Sequence, residues 1–224
     1  MSSMRIAAVG DIHSPRFLPI FERSLREIET PDIFLLAGDI VNRGKIDEYP
    51  VVIDTIDSTH GKIPIAACFG NEDYNELYPE SRVRDLVGNR VVFLDNSTQL
   101  FSIRGSTLGV IGISIINEKV KDIPSIRVVF EERARMLSEL LQELAAVSDN
   151  TIILSHFRPV EDTLSGQSAF SWWFGEIVKV TKPSLIVHGH VHNSTKNRVM
   201  VESTPVYNVA LPAVGSITEL SLME

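Results

Sequence analysis

Cysteine is nearly absent. Cys68 is the only one in 224 residues, so no intrachain disulfide can form. That excludes a small disulfide-stapled scaffold and fits a reducing compartment. Long apolar runs are missing too, and none approaches the ~20 residues a membrane helix needs. Yet 44% of residues are hydrophobic, enough for an ordinary globular core. Basic residues are the minority charge, 21 Lys and Arg against 29 Asp and Glu, for a net charge of -8. This balance disfavours long nucleic acid and anionic membrane as partners. It leaves room for a small positive centre such as a bound metal. No repeat, low-complexity tract or Pro/Gly/Ser linker divides the chain, so one domain over residues 1–224 is expected. Met1–Arg5 leads directly into an apolar strand without a signal-peptide pattern, and the cytoplasm is the expected location.

What is present is a series of short apolar runs. Arg5–Val9, Ile33–Ala37, Ile63–Cys68, Thr151–Leu154 and Leu185–Val187 read as buried strands. Between them lie helical patterns. Phe17–Glu29 spaces Leu18, Phe21, Leu25 and Ile28 by three or four residues, and Ile126–Val147 repeats that spacing through Met136, Leu137, Leu140, Leu141 and Leu144. Alternating strand and helix implies a parallel sheet with covered faces. Closer-set runs at Val91–Leu94, Thr98–Ile103 and Thr107–Ile113 predict sequential antiparallel strands, as do Lys196–Glu202, Val206–Val209 and Ser216–Leu222. The class is therefore α/β with added antiparallel strands.

The chemistry sits where the strands end. Asp11 and His13, Asp39, Asn71, His156, and finally His190 and His192 each follow a buried run within a few residues. In α/β sheets these carboxyl ends form the ligand crevice. Three of the six histidines fall in His188–His192 alone. Carboxylate, imidazole and amide donors suit Mn, Fe, Zn or Ni, and the lack of thiolate argues against a structural zinc finger. Seven donors are too many for one catalytic zinc and suit two divalent metal ions sharing a carboxylate. Two ions ~3.5–4 Å apart are the usual clamp for phosphoryl displacement. If the backbone is extended, Asp11 and His13, like His190 and His192, point the same way. A lone strand-end His or Asp-Gly turn is usually structural, but the full set is hard to assemble by chance.

The set resembles the calcineurin-like metallophosphoesterases, whose pattern runs D-x-H, G-D, G-N-H-[DE], H, G-H-x-H. Here it stands as Asp11-Ile12-His13, Gly38-Asp39, Gly70-Asn71-Glu72-Asp73, His156 and Gly189-His190-Val191-His192, in the same order. The resemblance implies a two-sheet mixed β-sandwich flanked by helices, an αββα arrangement. It implies Asp11, His13 and His192 on one metal, Asn71, His156 and His190 on the second, and Asp39 bridging them. His188 has no place in the pattern and is expected to support or pack. Gly38–Gly44 also resembles the G-D-x-V-D-R-G of protein phosphatases, where the Arg contacts substrate phosphate. Arg43 matches that position, with Asn42 in place of the Asp. The implied reaction is in-line attack on phosphorus by a hydroxide held between the metals.

Glu72 is the departure, since the pattern has His there. In the family that His stabilises charge or protonates the leaving oxygen. A glutamate beside two dications stays ionised and repels a doubly charged phosphomonoester more than a phosphodiester, by about 1 kcal/mol or more. This favours a phosphodiesterase over a phosphomonoesterase or protein phosphatase-like enzyme, with a non-catalytic metal-binding scaffold as the alternative of another class. Two other roles for position 72 stay open. Glu72 swings away and Asp73 or water serves as acid, or Glu72 contacts a metal. The expected partner is a small phosphorylated substrate, a nucleotide among the candidates. Trp172-Trp173-Phe174 fits core packing, a homodimer contact or base stacking. Cys68 reads as a buried inert thiol, His60 as solvated, and Asn117–Pro124 as a charged loop near the cleft.

Overall fold

A computed structural model describes residues 3–75, 77, 79–113, 124–158 and 169–222; for 124–131 and 169–174 it describes the backbone alone. The Trp172–Phe174 side chains and residues 117–123 lie outside these, and so do the expectations placed on them.

Two sheets face each other. The first holds β1 (Met4–Val9), β2 (Ile33–Ala37), β3 (Ile65–Cys68), β4 (Val92–Phe93) and β11 (Thr218–Leu222), in the order β11-β1-β2-β3-β4. The second holds β5 (Ser97–Ile103), β6 (Ser106–Ile113), β7 (Asn150–Ser155), β8 (Leu185–His188), β9 (Arg198–Val201) and β10 (Thr204–Asn208), in the order β5-β6-β7-β8-β10-β9. Their central strands pair in parallel and their edges are antiparallel except at β4.

Period-two alternation explains the layering. In β1, Met4, Ile6 and Ala8 point between the sheets, where they meet Leu108, Val110, Ile152, Leu154, Leu185 and Val187. Ala7 and Val9 point the other way into a second core with α1 (Leu18–Glu27), α2 (Glu48–His60) and α3 (Glu80–Val87). The second sheet repeats this, sending Ile111, Ile153 and Ile186 out against α4 (Pro124–Val147) and α5 (Ala169–Thr181). Strands buried on both faces need continuous apolar sequence, which is why these runs stood out. The short α6 (Leu211–Val214) leads into β11. None of the described helices is long and apolar enough to cross a membrane.

Three expectations are corrected. β4 does not join β5 and β6 in a meander. It pairs in parallel with β3, Ala66 to Val92, while β5 and β6 form a hairpin in the other sheet. Likewise β11 leaves its neighbours in sequence to pair with β1. His60 is not simply solvated: it ends α2, with Nε2 2.9 Å from the Leu25 carbonyl and Nδ1 3.3 Å from Thr30 Oγ1, tying α2 to α1.

Candidate metal centre

The sheets converge at the carboxyl ends of their parallel strands. The segment after β10 joins them, because Val209 donates its N–H to His188 of the second sheet while its carbonyl accepts Gly10 N–H from the first. Gly189 N–H bonds the His156 carbonyl, fastening the loops after β7 and β8 together. A side chain at Gly189 has no room, since a Cβ would lie 2.5 Å from Asp11 Oδ2.

All seven expected donors meet in this place, in two clusters. In the first, Asp11 Oδ1 lies 2.8 Å from His192 Nε2 and 3.7 Å from His13 Nε2, which is 3.9 Å from Asp39 Oδ2. In the second, His156 Nε2 lies 3.1 Å from Asn71 Oδ1, 3.2 Å from His190 Nδ1 and 3.4 Å from Asp39 Oδ2. Asp39 Oδ2 belongs to both. Asp11, His13, Asp39 and His156 are buried, whereas Asn71, His190 and His192 form the open side.

The backbone reaches this geometry by an unexpected route. Asp11, His13, Asp39 and His190 have φ of 57°, 43°, 49° and 67°, the left-handed region, so these motifs are not extended. Alternation along a strand therefore does not explain why Asp11 and His13 converge. Tight turns do, with Ile12 buried between them in the helix-side core. Left-handed non-glycine residues cost energy and gather at functional sites. Here the neighbouring loops hold them: Asp11 N–H and His13 N–H donate to the Gly38 and Asp39 carbonyls, and His190 N–H to Asp11 Oδ2.

The electrostatics fit cations. His156 Nδ1 is 2.9 Å from the Ala37 carbonyl, so its proton belongs there and the Nε2 lone pair faces Asp39, Asn71 and His190. Such a convergence of electron pairs is repulsive unless a positive charge, a proton on Nε2 or a metal ion, lies between them. Burial works against a charged His156, yet Asp39 outweighs it and pushes its pKa up to about 9. Burial would likewise raise Asp39, but the hydrogen bond and charge of His156, with the Glu72 N–H, hold it below the usual carboxylate value. Burial lowers His190, and the Asp11 hydrogen bond raises His192. His13 is buried, and among the described residues neither ring nitrogen has a hydrogen-bond partner. A buried imidazole is normally satisfied, and a metal ligand is the role that leaves it so. The donors thus suit divalent ions, and Asp39 Oδ2 is common to both clusters.

The other predicted residues lie around this centre. Arg43 is exposed at the rim with φ 52°, and among the described residues its guanidinium makes no hydrogen bond or ion pair. Glu72 Oε2 is 3.5 Å from His13 Nδ1. His188 is buried, its Nδ1 2.8 Å from the Gly189 carbonyl, and burial pushes it down to about 4. It packs under the loop as expected of a supporting residue. Cys68 is buried and its thiol pushed up by burial. Asp73 is not an acid facing the cleft. It is fully buried and its carboxylate accepts four backbone N–H groups, from Asp39, Ile40, Val41 and Gly70. Sequence reasoning missed Phe157, whose ring packs 4.4 Å from that of His190. Its place directly after His156 was the available signal.

With fold and site together, comparison with known proteins is unambiguous at the family level. The chain belongs to the calcineurin-like phosphoesterase family, whose profile matches residues 4–194. The family is one of dimetal enzymes and implies a hydrolase acting on phosphate esters. No curated protein matches the chain. Among solved structures, TT1561 of Thermus thermophilus is similar over 98% of this chain and 99% of its own, at 17% identity and TM-score 0.65. GAP50, the anchor in the inner membrane complex of Plasmodium, is similar over 100% of this chain and 78% of its own, at 12% identity and TM-score 0.62. Haemophilus influenzae NAD nucleotidase is similar over 98% of this chain but 52% of its own, at 14% identity and TM-score 0.58. At these identities the likeness is one of fold.

Proposed function

We propose that the protein is a dimetal phosphodiesterase acting on a small phosphorylated molecule, with a nucleotide as the leading candidate. The observation that carries this reading is the pair of donor clusters sharing Asp39 Oδ2. Asp11, His13 and His192 would hold one ion, Asn71, His156 and His190 the other, with Mn, Fe, Zn or Ni all compatible with an oxygen and nitrogen set. When bound, such a pair supplies Lewis acidity, lowering the pKa of water and offsetting phosphoryl charge.

The chain's own residues do the rest. The Ala37 carbonyl holds the His156 Nδ1 proton and so keeps Nε2 turned into the site. Arg43 presents an uncommitted fork of donors at the rim, a shape suited to two phosphoryl oxygens. Glu72 adds a negative charge beside His13 and disfavours a second charge on the substrate. Asp73 is sealed off, so the leaving oxygen departs without help from it. Good leaving groups are therefore favoured.

The test is the ratio of initial rates on bis-p-nitrophenyl phosphate and p-nitrophenyl phosphate, after chelation and Mn²⁺ restoration. Wild type should prefer the diester, and Glu72→His should reduce that preference by roughly fivefold, the equivalent of about 1 kcal/mol. A monoester preference in wild type would make the phosphatase the better reading. No turnover of either substrate by protein carrying two ions would favour a scaffold.

A further inference from the structure

His13 is 4% exposed, and its two ring nitrogens face different anions. Nε2 lies 3.7 Å from Asp11 Oδ1 and 3.9 Å from Asp39 Oδ2, on the side of the donor cluster. Nδ1 lies 3.5 Å from Glu72 Oε2, away from it. A neutral imidazole that binds a cation through one nitrogen carries its proton on the other, and the acceptor of that proton sets both tautomer and ring orientation. For His156 that acceptor is the Ala37 carbonyl at 2.9 Å. For His13, among the described residues, no backbone carbonyl takes the part, and the Glu72 carboxylate lies 3.5 Å from Nδ1.

Glu72 is itself held for this task. Its N–H donates to Asp39 Oδ1 at 2.7 Å, and its carbonyl accepts Gly44 N–H at 2.7 Å. Its Oε2 accepts the Arg43 N–H at 3.2 Å. The side chain is about one-third exposed, so the carboxylate reaches His13 from the open side of the site. Closing the gap to His13 from 3.5 Å to hydrogen-bond length takes a movement of about 0.5 Å.

We propose that Glu72 is a positioning residue: its carboxylate accepts the Nδ1–H of His13 and so aims Nε2 at the metal bound with Asp11 and His192. The proposal rests on the dimetal reading above. It gives position 72 a role in holding metal, where the family pattern has a residue that acts on substrate.

The test separates this from a charge effect on substrate and from the dimetal reading itself. Mn²⁺ binding to the stripped full-length chain would be titrated calorimetrically for wild type, Glu72→Gln and Glu72→Ala. Glu72→Ala should weaken one of two sites by 10- to 100-fold, the usual effect of losing such a support, and leave the other unchanged. Glu72→Gln, whose amide oxygen still accepts, should stay within a few-fold of wild type at both. Nitrogen-15 NMR of the Zn²⁺-loaded protein should show His13 protonated at Nδ1 in wild type and Glu72→Gln, with that proton exchanging faster in Glu72→Ala. Unchanged affinity in Glu72→Ala overturns the proposal. So does a Glu72→Gln defect as large as that of Glu72→Ala. A wild type that binds a single ion strikes the dimetal reading instead, and the exchange rate of the His13 Nδ1 proton, faster in Glu72→Ala than in wild type and Glu72→Gln or the same in all three, still decides this one.

Discussion

At the scale of the residue, Asp73 shows how an ionisable group near a catalytic motif can serve the backbone. Its two oxygens accept from Gly70, Asp39, Ile40 and Val41 at 2.7–3.1 Å, clamping the loop after β2 to the loop after β3. Burial, with the charge of Asp39, pushes its pKa up to about 6. Asp73→Ala would strand four buried donors. At ~1–3 kcal/mol for each unsatisfied group, discounted for water entering the gap, the loss should be about 3 kcal/mol or more. Urea unfolding of the metal-free variant against metal-free wild type measures it, and a difference under about 0.5 kcal/mol would show that water replaces the carboxylate. That these seven side chains would converge was legible in the sequence, because each follows a strand that ends at the same edge. The role of Asp73 was not, since a carboxylate beside Glu72 looks the same whether it faces substrate or backbone. The left-handed turns at Asp11, His13, Asp39 and His190 were equally hidden, because such φ values usually announce themselves as glycine.

At the scale of the element, buried strands were the plainest signal. β2 emerged with the bounds expected of it, since five consecutive apolar residues between turns admit little else. Pairing partners were less legible. β4 follows α3 and precedes β5, and only three-dimensional packing shows that it closes the first sheet. α2 went unread although Tyr49, Val52, Ile53 and Ile56 carry helical spacing, because β-branched residues and Pro50 suggest strand or turn. The connections after the strands are the least forgiving elements. Gly70 lacks a positive φ, yet a Cβ there would fall 2.1 Å from Asp39 Oδ1 and 2.2 Å from its nitrogen. Gly70→Ala should therefore push the Asp39 carboxylate aside, at a cost of about 1–3 kcal/mol. The variant should still show the far-ultraviolet circular dichroism of wild type but retain fewer than two Mn²⁺ per chain by elemental analysis. Gly175→Ala, on α5, where an added Cβ would meet no atom of the described residues within 4 Å, is the matched control and should keep both. Full metal content in Gly70→Ala would mean that the loop yields more easily than its contacts imply.

At the scale of the molecule, the centre ties two sheets whose strands otherwise meet through side chains and one short segment. Asp11, His13, Asp39 and Asn71 follow β1, β2 and β3 of the first sheet, and His156, His190 and His192 follow β7 and β8 of the second. Each donor cluster draws on both. The interior layer of Ile6, Leu35, Val110, Ile152 and Val187 is complete without metal, so the stripped protein should keep its fold. Bound ions should still stabilise it, because unfolded chain presents no such array. One site at 100-fold excess of ion over its Kd contributes about 2.7 kcal/mol. Two sites at that occupancy, at ~2–4 °C per kcal/mol for a domain of this size, should raise Tm by roughly 10 °C or more over the chelated protein. Far-ultraviolet circular dichroism at 25 °C should be the same in both states. An unchanged Tm, with two ions shown to be bound, would mean that the unfolded chain holds metal about as well. Loss of the fold on chelation would mean that the inter-sheet core is too weak to close the sandwich alone, and that metal binding and folding are one event.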